Sequence, residues 1–146
     1  MSRPLKRVLF VCIGNSCRSQ MAEGFARVSG RGRVAAYSAG SRPSGRVDPR
    51  AATLMKERGI DLAAQRSKGL DDLPPGVTWD AVVTMGCGDA CPNLAARIRL
   101  DWDVEDPKTM SDDAFRSARD RIETSVLELI ERVAPGEGNP DEGVPA

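Results

Sequence analysis

The strongest indication of the fold comes from the segment Val8-Leu9-Phe10-Val11-Cys12-Ile13-Gly14-Asn15-Ser16-Cys17-Arg18-Ser19. It begins as a short apolar run typical of a buried parallel strand, and turn residues then lead into a helix expected from Ser19 to Val28. A strand, a tight loop and a helix N-terminus direct unpaired N–H groups and the helix dipole at one point. The stretch therefore predicts an oxyanion-binding loop that holds a thiol, Cys12.

The length and charge of the chain restrict the class of protein. Its 146 residues predict one domain, over residues 1–134, and the Pro-, Gly- and acid-rich residues 135–146 predict a disordered tail. Lys plus Arg and Asp plus Glu number 21 each, which argues against nucleic acid or an anionic membrane as a partner. No apolar run is long enough for a membrane span or a signal peptide. We expect a cytoplasmic monomer.

The chain has four cysteines and no histidine. The absence of histidine excludes Cys–His and Ser–His–Asp relays and most zinc sites, so we expect no metal. Structural disulfides are rare in a reducing cytoplasm, so the cysteines are expected to serve chemistry. Cys12 and Cys17 lie in the first loop, and Cys87 and Cys91 form a second pair.

Strands and helices alternate along the rest of the chain. We predict further strands at 33–39, 80–85 and 97–100, and helices that begin after Asp48 and Ser111 and end near Gly59 and Val133. This order predicts a three-layer α/β/α sandwich around a four-stranded parallel sheet. Ligands bind at the carboxyl ends of such strands, so Cys12, Cys87 and the loop after Leu100 are expected to share one pocket.

Several motifs together resemble a known family. The Cys12-x5-Arg18-Ser19 loop, with Asp106-Pro107 before the last helix, resembles the low-molecular-weight protein tyrosine phosphatases. More closely, the chain resembles the thioredoxin-coupled arsenate reductases built on that fold, over about residues 7 to 133. The additional motifs are residues 12–24, Tyr37-Ser38-Ala39-Gly40, Val83-Thr84-Met85, and the cysteine pair that ends in Cys91-Pro92.

The loop residues then have expected roles. Cys12 must attack as a thiolate, which the helix N-terminus, the loop amides and Arg18 favour, and Ser19 can donate a hydrogen bond to its sulfur. Arg18 presents a planar fork to two oxygens of bound arsenate, or of the analogues phosphate and sulfate. The substrate-binding loop comprises Ile13, Gly14, Asn15, Ser16, Cys17 and Arg18.

Individual loop residues carry narrower expectations. Gly14 is expected to adopt a backbone conformation closed to other residues, and Asn15 to tie the loop to neighbouring backbone. Cys17 has no required step and is expected to pack or point away from the anion. In the resembled reductases, residues matching Asn15, Glu23 and Ser38 help form a potassium site. Its further acidic ligand falls near Lys68 here, so we expect the ammonium to replace the ion.

Asp106 is the expected general acid, which protonates the leaving oxygen, and this assignment depends on the resemblance. Proton transfer of this kind contributes roughly 10²–10⁴-fold to the rate. The alternative is that Asp106, before Pro107, only shapes a turn; Asp101, Asp103 and Glu105 are nearby acids.

The resemblance also implies a disulfide relay that detoxifies arsenate by reducing it to arsenite. Cys12 attacks arsenic, Cys87 attacks the Cys12 sulfur as arsenite leaves, and Cys91 then forms a disulfide with Cys87. No cofactor is bound; thioredoxin, or alternatively a mycothiol- or glutaredoxin-type partner, reduces this disulfide. The alternative for the pair is half of a metal or arsenite clip.

Two other functions fit parts of the sequence. A tyrosine phosphatase is the first, but Lys108-Thr109-Met110 supplies no aromatic wall for a phosphotyrosine ring. We nevertheless expect weak phosphatase activity, since arsenate and phosphate share charge and shape. A non-enzymatic arsenite or metal sensor is the second, but the chain lacks a basic recognition helix.

Overall fold

The computed structural model describes residues 4–86 and 94–135. Within them a four-stranded parallel sheet has the strand order β2-β1-β3-β4. The strands are β1 (Lys6–Cys12), β2 (Val34–Gly40), β3 (Trp79–Thr84) and β4 (Ala96–Asp101). The helices are α1 (Arg18–Ser29), α2 (Pro49–Lys56) and α3 (Asp112–Val133). The predicted α/β fold with a parallel four-stranded sheet is confirmed.

The central strand β1 lies between β2 and β3, and burial of both its faces explains its continuous apolar run. Val8 and Phe10 join one core cluster, whereas Leu9 and Val11 join a cluster on the other face. In the register of the sheet, Cys12 pairs with Gly40. The nucleophile candidate therefore lies at the carboxyl edge, as the sequence predicts.

Helices α1 and α3 cover one face of the sheet, and α2 packs against them. The predicted caps are present: Asp48 accepts a hydrogen bond from the Arg50 N–H, and Ser111 accepts one from Ala114. On the other face, the Trp79 side chain packs with the segment around a short 3₁₀ helix, Leu70–Asp72. The sequence predicts only a loop there.

Arg119 departs from the pattern of α3. It is 5% exposed, whereas the other buried residues of α3 are apolar, and its guanidinium donates to the Leu54 carbonyl (2.9 Å) and to Glu57 (2.7 Å). These bonds join the C-terminal end of α2 to α3.

Two predictions fall wholly or mainly outside the described residues. Cys87 and Cys91 lie in the segment 87–93, and most of the predicted tail lies in 136–146. One domain over residues 1–134 with a separate tail stays a prediction. Among the described helices, none is both long and apolar enough to cross a bilayer.

Candidate active site

The oxyanion loop (residues 12–18) joins β1 to α1, and its carbonyl groups point away from its interior. The carbonyls of Cys12, Ile13, Gly14 and Ser16 accept hydrogen bonds from N–H groups of the segment 41–48, at 2.8 to 3.3 Å. The N–H groups of residues 13–17 donate to no acceptor within residues 4–86 and 94–135. Free donors beside the N-terminus of α1, whose first turn carries no acidic residue, form a site for an anion.

The backbone conformation of the loop corrects one prediction. Gly14 does not have the positive φ by which a glycine enters conformations closed to other residues, whereas Asn15 has a φ of 47°. At the end of β2, Gly40 occupies a position that has no room for a side chain. A Cβ on Gly40 would lie 2.5 Å from the Ile13 carbonyl oxygen and 2.9 Å from the Asn15 nitrogen. Gly40 therefore lets β2 approach the loop, which its position in a strand did not reveal.

Cys12 is 3% exposed, and its sulfur lies 2.9 Å from the Ser19 hydroxyl oxygen. The same oxygen accepts a hydrogen bond from the Asn15 side-chain amide at 2.7 Å. Because Asn15 occupies an acceptor position of the hydroxyl, the hydroxyl hydrogen is free to point at the sulfur. The arrangement suits a thiolate, which accepts but cannot donate.

Buried amides hold Asn15 in place. Its side-chain oxygen accepts from the Lys68 N–H (2.7 Å) and from the Gln20 side chain (2.9 Å). Gln20 in turn accepts from the Gln65 side chain at 2.8 Å. This network confirms that Asn15 ties the loop to neighbouring backbone, and it adds Gln20 and Gln65, which the sequence analysis did not identify.

Arg18 is 6% exposed and lies between the oxyanion loop and the segment that follows β4. Its Nη1 donates to the Val104 carbonyl (3.0 Å), and its Nη2 lies 3.8 Å from the Asp106 carboxylate. A Cβ on Gly86, whose φ is 75°, would overlap Nη1. Gly86 therefore leaves the space in which the guanidinium lies, a contact that no sequence pattern indicates.

Asp106 shapes a turn, and its role as general acid stays a prediction. Its carboxylate accepts a hydrogen bond from the Lys108 N–H at 3.1 Å, which caps the short 3₁₀ helix Pro107–Thr109. The side chain also lines a small cavity with Cys12 and Arg18, and it is 47% exposed. A carboxyl group in this position can exchange protons with solvent and face a substrate held on the loop.

Cys17 is a buried thiol that packs in the core, as expected, although it also lines the cavity. Burial raises its pKa, and the neighbouring Asp48 carboxylate, which accepts a hydrogen bond from the thiol, raises it further. The thiol form is therefore favoured at Cys17, which keeps it out of competition with Cys12 for an electrophile.

The predicted replacement of a potassium ion has a matching geometry. The Lys68 ammonium lies 3.4 Å from the Glu23 carboxylate and 3.5 Å from the Ser38 hydroxyl, which donates to the same carboxylate. Lys68 Nζ also donates to the Arg66 carbonyl at 2.8 Å. The Lys68 ammonium thus supplies, beside Glu23 and Ser38, the positive charge that a potassium ion would supply.

The cavity at the loop gathers most of the predicted residues. Its volume is about 10 Å³, room for roughly one water molecule. It is lined by Cys12, Gly14, Ser16, Cys17, Arg18, Asp106 and Lys108. Ile13 is 42% exposed and outside the lining, and Asn15 and Ser19 act from behind the loop. The sequence did not predict that Lys108 lines the cavity.

The part of the chain described by the structure contains no group of three or more Cys, Asp or Glu residues placed to hold a metal ion. The cationic groups that line the cavity are the side chains of Arg18 and Lys108. The arrangement can hold a small tetrahedral oxyanion against a sulfur nucleophile, with a carboxyl group nearby.

Comparison with known proteins agrees with this geometry. Residues 7–137 match the family model of the low molecular weight phosphotyrosine protein phosphatases. A Synechocystis sp. protein named glutaredoxin arsenate reductase is 40% identical over 133 residues, which cover 89% of this chain and 100% of that protein.

Solved structures give the same result. An arsenate reductase in a phosphate-binding state has a TM-score of 0.82 at 39% identity, covering 89% of this chain and 100% of that chain. A thioredoxin-dependent arsenate reductase from Corynebacterium glutamicum has a TM-score of 0.72 at 28% identity, covering 91% of this chain and 64% of that chain.

Proposed function

Because the chain belongs to the low-molecular-weight phosphotyrosine protein phosphatase family and is an arsenate reductase, we propose that it works through a Cys12–Cys87–Cys91 relay. The observation that carries the proposal is the buried Cys12 sulfur beside the Ser19 hydroxyl, in a loop whose N–H groups at residues 13–17 donate to no acceptor in the described part of the chain. These donors stabilise the thiolate and the charge on a bound oxyanion at the same time.

In the first step, the Cys12 thiolate attacks As(V) and forms an S–As bond. The hydroxyl group opposite the sulfur leaves as water after it receives a proton from Asp106. Arg18 and the N–H groups of the loop hold the remaining oxygens. The small cavity must widen to admit arsenate, and we expect the side chains of Asp106 and Lys108, which are exposed at its rim, to move outward.

In the second step, the Cys87 thiolate attacks the Cys12 sulfur. The S–As bond breaks and its electron pair stays on arsenic, which leaves as As(III) in arsenite. Cys91 then attacks Cys87, which frees Cys12 as a thiolate and leaves a Cys87–Cys91 disulfide. Two thiols thus supply the two electrons. Support comes from Gly86, which precedes Cys87 in the sequence and lies against Arg18.

We propose thioredoxin as the reductant, because a disulfide formed within the chain is a substrate for a dithiol protein. A glutaredoxin-type reductant is the second candidate, since the 40% identical Synechocystis sp. protein is named for glutaredoxin. A mycothiol-type reductant is the third. Arsenate turnover coupled to NADPH oxidation through each purified system separates these candidates. We propose that the enzyme acts in the cytoplasm, where thiols are kept reduced.

Phosphate and sulfate are proposed as non-reducible analogues, and aryl phosphates as slow substrates. Both follow from a loop that recognises charge and tetrahedral shape. A role in arsenic detoxification follows from the reaction itself, and we propose that the enzyme acts as a monomer.

The variant Cys87→Ser tests the relay. We expect it to abolish multiple-turnover arsenate reduction while it retains hydrolysis of p-nitrophenyl phosphate, which needs only Cys12. The variant Cys12→Ser is the matched control and should lose both activities. Equal loss of both activities in Cys87→Ser would contradict the relay, and unchanged arsenate turnover would exclude Cys87 from it.

A further inference from the structure

Lys108 brings a second cation to the oxyanion loop. Its ammonium nitrogen lies 3.9 Å from the position that a Cβ on Gly14 would occupy. The side chain lines the cavity together with Cys12, Arg18 and Asp106. The ammonium therefore lies at the opening of the loop, whereas Arg18 is buried at its side.

The backbone of Lys108 is fixed while its ammonium has no partner. Its N–H donates to the Asp106 carboxylate (3.1 Å), and the buried Pro107 begins the 3₁₀ helix that holds both residues. Within residues 4–86 and 94–135, the ammonium makes no ion pair or hydrogen bond, although Asp103, Glu105 and Asp106 are close in sequence. An unpaired cation beside free N–H groups attracts an anion.

We propose that Lys108 binds the substrate and sets the preference for small inorganic oxyanions over phosphate esters. A sulfur nucleophile attacks opposite the leaving oxygen, so that oxygen faces the opening, near Asp106. In arsenate this oxygen carries negative charge or a proton, and the ammonium stabilises it. In an aryl phosphate the same oxygen carries an aryl ring. This ring lies beside the ammonium and is not stabilised by its charge.

This inference rests on the proposed oxyanion site, but it does not depend on the relay. Binding of inorganic phosphate to the reduced full-length protein therefore tests it directly, by isothermal titration calorimetry. We expect Lys108→Met to raise the Kd for phosphate about tenfold, equivalent to ~1.4 kcal/mol. Lys108→Arg keeps the charge and should stay within about threefold of wild type.

The matched control is Lys56→Met, which removes an exposed lysine of α2 that is remote from the cavity lining. We expect it to leave the Kd unchanged. In about 1 M salt, the difference between wild type and Lys108→Met should shrink, because the screening length falls to roughly 3 Å. Urea unfolding of each variant establishes that it is folded.

Kinetics test the preference. Lys108→Met should raise the KM for arsenate about tenfold and change kcat/KM for p-nitrophenyl phosphate by less than about threefold. A Kd for phosphate within about twofold of wild type in Lys108→Met, or an equal rise in Lys56→Met, would overturn the inference. If the Kd rises as expected but the wild type reduces no arsenate, the proposed relay fails and the role of Lys108 in anion binding stands.

Discussion

The bond between Ser19 and Cys12 makes a sharp prediction about nucleophile reactivity. In Ser19→Ala, the sulfur loses a buried hydrogen bond that measures 2.9 Å between the heavy atoms. A hydrogen bond to a charged group contributes roughly 1.5–3 kcal/mol. At ~1.4 kcal/mol per factor of ten, loss of this bond corresponds to a roughly 10- to 150-fold drop in the reactivity of the Cys12 sulfur.

The assay is the rate of iodoacetamide labelling of Cys12 near neutral pH. The tryptic peptide 8–18 contains both Cys12 and Cys17, so fragment ions must assign the label. We expect Cys12 in Ser19→Ala to be labelled roughly 10- to 150-fold more slowly than in wild type. Cys17 should stay unlabelled near neutral pH in both proteins, because burial and Asp48 raise its pKa.

The matched control is Ser117→Ala on the exposed side of α3, which should leave the labelling rate unchanged. Ser19→Ala also leaves the Asn15 amide without its acceptor, so urea unfolding should report a loss of about 1–3 kcal/mol. A folded Ser19→Ala protein with the wild-type labelling rate would refute the inferred direction of this hydrogen bond.

Three further predictions concern the surroundings of the loop. Gly86→Ala should weaken phosphate binding at least tenfold in calorimetry, because its Cβ overlaps Arg18 and its φ is 75°; unchanged binding would contradict this contact. Lys68→Met should lower the free energy of unfolding in urea by roughly 1–3 kcal/mol, because it leaves the partly buried Glu23 without a cation. Lys56→Met is its control, and an unchanged free energy of unfolding in Lys68→Met would show that Lys68 does not replace a potassium ion. Hydrogen bonds from Arg116 and Arg119 lower the pKa of Glu57 to about 2 from an ordinary value of 4.5. The ionised Glu57 side chain therefore stabilises the folded protein above pH ~4.5, and this contribution is lost as the pH falls toward 2. Urea unfolding should therefore show a deficit of Glu57→Gln relative to wild type that is larger at pH 6 than at pH 2, with Glu128→Gln unaffected, and a deficit independent of pH would refute it.

The sequence predicted the fold because its signals are local. The apolar run 8–11, the caps Asp48 and Ser111, and the spacing from Cys12 to Arg18 each specify their own element. Parallel pairing at the carboxyl edge then follows from topology. The placement of Asp106 also needed the resemblance, since several acids are adjacent to it in the sequence.

The features that the sequence missed depend on contacts between distant segments. Gly40 and Gly86 look like ordinary strand-end glycines, and only the packed structure reveals what a Cβ would meet. Gln20 and Gln65 are far apart in the chain, so their hydrogen bond has no local signal. Lys108 reaches the loop only because a capped turn aims it there.

The proposed relay requires that Cys87 and Cys91, outside the oxyanion loop, end up oxidised to a disulfide while Cys12 returns to a thiol. Peptide mass spectrometry of the reduced protein, mixed with one equivalent of arsenate and then quenched without an external reductant, tests this most directly. We predict a Cys87–Cys91 disulfide together with a free Cys12 thiol. Arsenite release that leaves both Cys87 and Cys91 as free thiols would contradict the account.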